Sequence, residues 1–190
     1  PIDFVVDLTP PEKPVIGEVE DDVGPVVGPI NDGDTTDDAL PVFRGENGTP
    51  GDTVELIIDD KVVGTAVVGA DGKWAVTPEN PLAEGQHEAV VVITDPAGNA
   101  SEPSDPIGFI VDLTAPAKPV IGEVEDDVGP VVGPINDGDT TDDALPVFRG
   151  ENGTPGDTVE LIIDDKVVGT AVVGADGKWA VTPENPLAEG

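Results

Sequence analysis

The chain has 190 residues, of which 40 are Asp or Glu and 8 are Lys or Arg, giving a formal charge of -32 at neutral pH. That balance excludes nucleic acid and anionic membrane surfaces as partners, because phosphate contacts need clustered Lys and Arg. Cysteine is absent, which excludes disulfides and thiolate metal sites, and no apolar run approaches the roughly 18 residues that a spanning helix requires.

Residues 13–85 return letter for letter at 118–190, an offset of 105. The same offset sets Ile2, Phe4, Val6, Asp7 and Leu8 against Ile107, Phe109, Val111, Asp112 and Leu113. Repeats of about 20–50 residues must stack to bury a core, whereas about 100 residues can hold a core of their own. The expected organisation is therefore tandem whole domains. Residues 1–8 are the final strand of a preceding repeat and 9–113 a complete repeat; 114–190 are a second repeat, truncated before its last two strands.

Alternating apolar residues between turn signals predict seven strands in the complete unit. In chain order they are Val15 to Val19, Pro41 to Arg44, Thr53 to Ile58, Val62 to Val68, Lys73 to Thr77, His87 to Thr94, and Ile107 to Val111. Asp59, Asp60 and Lys61 reverse the chain between the third and fourth. Asp71 and Gly72 supply the positive φ of a tight hairpin before the fifth. The run from Asp95 to Asn99 makes a turn through Pro96 and Gly98. The fold class is all-β, tandem sandwich domains of about seven strands each, end to end. With immunoglobulin-like connectivity, one pole collects the segment between the first two strands, Asp59, Asp60, Glu79, Glu84 and Asp112. The other collects Glu46, Asn47, Asp52, Asp71, Asp95 and Asn99.

Between Glu18 and Asp38 there are eight acidic residues and no basic one. Carboxylates this close repel, since their separations lie within a Debye length of about 8 Å. A hard divalent cation relieves that repulsion. Calcium takes six to eight oxygens in irregular geometry, which suits this segment better than it suits zinc or magnesium. The candidate ligands are Asp21, Asp22, Asp32, Asp34, Asp37, Asp38 and Asp112. Their copies Asp126, Asp127, Asp137, Asp139, Asp142 and Asp143 extend the set. The spacing is not that of an EF-hand, so a solvated acidic loop is the competing reading. Asp112 shares the acidic pole with this segment, and Pro116 and Pro119 restrict the connector after it. Calcium is thus expected to stiffen the junction between units.

Trp74 and Trp179 read as core anchors rather than sugar platforms, and Phe4, Phe43, Phe109 and Phe148 as further core. His87 has no nucleophile arrangement beside it, and no aromatic-lined cleft accompanies any carboxylate pair. The chain is expected to have neither enzymatic activity nor a small-molecule substrate.

The order of several motifs is similar to that of bacterial immunoglobulin-like repeats in giant surface adhesins, biofilm-associated and RTX-type proteins among them. The motifs are Asp21-Asp22-Val23-Gly24, Thr36-Asp37-Asp38, Asp71-Gly72-Lys73-Trp74, Pro81 to His87, Thr94 to Asn99, and Val111 to Pro116. The resemblance covers the whole period. It implies an extracellular extender module of the bacterial cell surface that holds distal adhesive domains outward for adhesion and biofilm formation. It also implies calcium at or near junctions, adjacent identical repeats as partners, and no direct membrane insertion. A calcium-dependent carbohydrate- or protein-binding module is the alternative; scarce exposed aromatics and Arg weigh against it.

Overall fold

Strands alternating between a buried and an exposed face need a second sheet to cover the buried face, and the chain supplies one. The computed structural model describes residues 2–24, 27–130 and 132–189. Two units appear, Pro1–Thr114 and Ala115–Gly190. The first contains β1 (Glu18–Asp21), β2 (Gly28–Pro29), β3 (Thr35–Thr36), β4 (Val42–Gly45) and β5 (Thr53–Ile58). It continues with β6 (Lys61–Val67), β7 (Trp74–Val76), β8 (Gly85–Thr94) and β9 (Ile107–Val111). No helix occurs among the described residues.

One sheet has the order β2-β1-β4-β7 and the other β3-β9-β8-β5-β6. Val19, Phe43, Trp74 and Val76 face inward from the first; Val54, Leu56, Ile58, Ala89, Val91, Ile93, Phe109 and Val111 face inward from the second. The Phe43 and Phe109 rings meet at 6.1 Å and 58°, joining the two sheets. Trp74 is buried because Gly45 has no side chain: a Cβ there would collide with the indole. The sandwich and the core role of both Trp residues follow the sequence expectation. Phe4 does not: it is 80% exposed, in a segment, residues 2–8, that joins no strand.

The first predicted strand is displaced toward the C-terminus. Its pairing decides the matter, because Glu18, Val19 and Glu20 face Arg44, Phe43 and Val42 of β4. The segment after it is also more structured than a loop. β2 pairs with β1 in one sheet, and β3 runs parallel to β9 in the other, so the segment crosses between sheets.

Beyond the reach of β9, two serines complete the bonding of β8. Ser104 Oγ accepts from Val91 N and Ser101 Oγ from Ile93 N, each at 3.0 Å. Ser104 is buried, so Ser104→Ala leaves the Val91 N–H unpaired and lowers stability by about 1–3 kcal/mol. Urea denaturation measures this; a change below about 0.5 kcal/mol would mean that water or another acceptor reaches the amide.

The second unit has β10 (Val120–Asp126), β11 (Gly133–Pro134), β12 (Val147–Glu151), β13 (Thr158–Ile163), β14 (Lys166–Val172) and β15 (Trp179–Val181). β11-β10-β12-β15 form one sheet and β13-β14 the other. Its core is Leu161, Val173, Trp179 and Val181.

Candidate cation-binding poles

The crossover from β1 to β4 holds most of the acidic run, but its carboxylates go to different tasks. Asp21 and Asp38 are buried, at 8% and 1% exposure. Asp21 Oδ1 accepts from Val23 N at 3.0 Å and its Oδ2 from Thr36 Oγ1 at 2.6 Å. The Thr36 hydroxyl in turn accepts from Asp38 N at 3.0 Å, and Asp38 Oδ1 accepts from Leu40 N at 2.7 Å. Asp38 Oδ2 has no access to solvent and no well-formed hydrogen bond. Burial pushes the Asp38 carboxyl above the usual range; bonds from the Leu40 and Asp22 amides oppose this, and the charges of Asp21 and Asp22 add to it. Asp22 and Asp37 are exposed. The Asp37 carboxylate fills the space that a side chain on Gly24 would take, at a φ of 78°.

Asp32 and Asp34 belong to the same run yet serve the backbone. Asp32 Oδ1 accepts from Gly108 N of β9 at 2.8 Å. Asp34 Oδ2 accepts from both Asn31 N and Asn31 Nδ2 at 2.8 Å, which holds its carboxyl below the usual range. Asp112 is exposed; its amide donates to Thr36 O, and its Oδ1 accepts from Thr114 N. Thr114 Oγ1 lies 3.0 and 2.9 Å from the two Glu84 oxygens, so the outgoing connector is fastened to the β7–β8 loop. This pole therefore gathers the segments that connectivity predicted.

The second unit repeats the local pattern. Thr141 Oγ1 donates to Asp126 Oδ2 at 2.6 Å, Asp143 N to Thr141 Oγ1 at 3.0 Å, and Leu145 N to Asp143 Oδ1 at 2.8 Å. Asp127 N stands 3.4 Å from Asp143 Oδ2. Asp142 packs on Gly129 as Asp37 packs on Gly24. Asp139 is bound by Asn136, and Asp137 is exposed.

At the opposite pole is a set that sequence reasoning grouped by position but did not name as ligands. Thr53 of β5 pairs with Thr94 of β8, so Asp52 and Asp95 extend from the same end of adjacent strands. Asp52 is 3% exposed. Burial and the charges of Asp95 and Asp7 push its carboxyl up, and no hydrogen bond counters them. Asp95 is held by Asn99: Oδ2 accepts from Asn99 Nδ2 and Oδ1 from Asn99 N, each at 2.8 Å, with Ala97 N at 2.9 Å. Those bonds keep Asp95 below the usual range. Asn99 Nδ2 also lies 3.2 Å from Asp7 O, which brings the incoming connector to this loop. Together the connector and the two loops border a cleft of about 670 Å³, with Asp7, Glu12, Glu46, Asn47, Asp52 and Asp95 in its wall. The sequence signal was the register of β5 on β8, which makes neighbours of Asp52 and Asp95.

Among the described residues, no three His, Cys, Asp or Glu side chains surround one point in metal-ligand geometry. The donors nonetheless fit a hard cation chemically, since all are oxygens and Asp21, Asp38 and Asp52 are buried without a matching positive charge. His87 stands apart from both sets. Its ring nitrogens lie 2.7 Å from Asp59 Oδ2 and 2.7 Å from Ala83 O, and its ring packs on Phe109. It joins the β5–β6 turn to the loop before β8.

Comparison with known proteins adds a family and a set of distant structures. The model of the bacterial Ig-like domain matches residues 19–113. No curated protein matches the chain. Among solved structures, the BSP domain of a biofilm-associated protein is 26% identical over 83% of this chain and 24% of its own, with a TM-score of 0.30. A tetra-tandem repeat from the extending region of a large adhesion protein is 23% identical over 86% of this chain and 45% of its own, with a TM-score of 0.34. Dimeric latent PorU from Porphyromonas gingivalis is 20% identical over 96% of this chain and 18% of its own, with a TM-score of 0.36. The chain thus spans less than half the length of each.

Proposed function

The chain belongs to the bacterial Ig-like domain family, and from that premise we propose that it is a structural extender of a bacterial surface adhesin, stiffened by calcium where units join. The observation that carries this reading is the repetition itself. Residues 13–85 return without a single change as residues 118–190, at a fixed offset of 105. Each added copy of a self-contained sandwich adds length, whereas a binder gains only if partners can be engaged together.

The aromatic inventory supports the extender over the binding module. Trp74 and Trp179 are 4% and 6% exposed, so neither offers a sugar a flat face. Phe43 and Phe109 are equally committed to the core. The extracellular location, the absence of catalysis and the identical neighbouring repeats belong to the same proposal.

Calcium would be held at the connector end of the unit by Asp52, Asp95 and Asp7, with backbone carbonyls and water making up its shell. Asp112 takes the sequence position of Asp7 in the following connector. With calcium bound, the repulsion among these carboxylates becomes attraction to a shared ion, and the prolines at 10, 11, 14, 116 and 119 limit the remaining freedom of the connectors. Small-angle scattering tests the proposal: the maximum dimension and its spread change when calcium is exchanged for EGTA. Identical curves in the two solutions would remove calcium stiffening. A calcium-dependent signal on a glycan array would instead favour the binding module.

A further inference from the structure

His87 is the single histidine of the chain, and both of its ring nitrogens face oxygens. Nδ1 lies 2.7 Å from Asp59 Oδ2, and Nε2 lies 2.7 Å from Ala83 O. Burial works against the Asp59 charge, but bonds from the ring and from the Glu88 amide outweigh it and hold that carboxyl below the usual range. Asp59 is therefore ionised, and both partners of the ring can only accept. A neutral imidazole has one donor and one acceptor nitrogen, so one of the two contacts would set lone pair against lone pair. Only the doubly protonated ring satisfies both. Its side chain is 9% exposed and packs on Phe109, which leaves little room for water to take the place of either oxygen.

The charges around the ring are mostly negative. Asp32 on the crossover, Asp59 on the β5–β6 turn and Glu88 on β8 share one cleft with it, and β9 brings only Gly108, Phe109 and Ile110. Asp32 Oδ1 is taken by Gly108 N and Asp59 Oδ1 by Glu88 N. Lys61, at the start of β6, acts on Asp59.

Ala83 leads straight into the clasp on the connector. Glu84 follows it, with its two oxygens 3.0 and 2.9 Å from Thr114 Oγ1. Leu82 N is fixed to Ala39 O at 2.9 Å on one side, and on the other Gly85 opens β8 at a φ of 131°, which glycine alone adopts at no steric cost. Residues 83 and 84 are thus steadied by the ring and hinged at Gly85.

We propose that His87 is a pH-operated latch: its imidazolium ties the β5–β6 turn to Ala83 and steadies the Glu84 clasp on Thr114, and loss of the Nε2 proton releases both. The Nδ1 proton stays, because it faces a carboxylate whereas Nε2 faces a neutral carbonyl. The latch is closed below the titration of the ring and opens as the pH rises through it, within the span of about pH 5 to 8 where histidine changes charge. It fails again in acid, as the pH falls through the depressed titration of Asp59. No metal takes part, so the latch stands or falls apart from the calcium stiffening proposed above.

NMR of the full chain in EGTA, titrated from pH 5 to pH 8, tests this. Ring nitrogen shifts are expected to show Nε2 losing its proton, and the Glu84, Gly85 and Thr114 amides to move with the same midpoint. In His87→Gln those amides stay still across the range, while amides beside Asp38 and Asp52 keep whatever response they had. Asp59→Asn, at a φ of 50° that asparagine tolerates, lowers the pH of the amide movement by about one unit, a tenfold weaker hold on the proton. It also carries the test should His87→Gln fail to fold. A ring that titrates while Glu84, Gly85 and Thr114 stay still overturns the latch. So does movement of those amides that persists in His87→Gln, or loss of the Nδ1 proton in place of that on Nε2.

Discussion

Phe43→Ala is expected to destabilise the first unit by about 3–5 kcal/mol, the range for deleting a buried aromatic and leaving its cavity. Phe43 is 0% exposed and sits on β4, between β1 and β7, so no edge can collapse into the space. Its ring is also the sheet-to-sheet contact with Phe109. Against a typical total of about 5–15 kcal/mol, that loss is a large fraction. Phe148 is the same residue in an identical stretch of sequence, but it is only half-buried. Its substitution by Ala should therefore cost distinctly less. Urea unfolding followed through Trp74 fluorescence in a Trp179→Phe background isolates the first unit, and through Trp179 fluorescence in a Trp74→Phe background it isolates the second. Equal losses for Phe43 and Phe148, or a loss below about 1 kcal/mol at Phe43, would contradict the packing described.

The contrast between those two phenylalanines explains what the sequence could and could not disclose. Identical residues alternate in the same way in both units, so strand positions were legible: Thr53–Ile58 and Ile107–Val111 form where the alternation puts them. Burial depends on partners. Val54, on β5 between β6 and β8, is fully buried, whereas its copy Val159 is half-buried. The short strands β2 and β3 were not legible, since two residues carry no period. They exist because pairing with β1 and β9 selects them.

The acidic chemistry followed the same division. Composition marked residues 18–38 as strongly acidic, and connectivity set Asp112 near that segment. Composition could not say that Asp32 would turn to Gly108 N, or that Asp34 would be occupied by Asn31. Nor could it rank Asp52 above its neighbours, because only burial and the approach of Asp95 and Asp7 make Asp52 unusual. The lesson is one of register. Once Thr53 is set against Thr94, the residues just beyond each become a pair, and a carboxylate at both places creates a need for positive charge.

That need gives the largest response expected from solution conditions. Raising calcium from chelated to a thousandfold excess over its dissociation constant should stabilise the chain by about 4 kcal/mol, the linkage term for one site that binds only the folded state. In a domain of about 100 residues this raises the unfolding temperature by more than about 10 °C. Asp52→Asn should divide the effect by its sign. In EGTA the variant is the more stable protein, since it removes a buried charge that faces Asp95 and Asp7. In calcium it is the less stable one, since the ion loses its most deeply buried ligand. Calorimetry of both proteins in both solutions reads the crossing directly. If wild type and variant gain the same number of degrees from calcium, the ion binds away from Asp52; if neither gains any, the acidic poles are solvated surfaces and the connector is stiffened by its prolines alone.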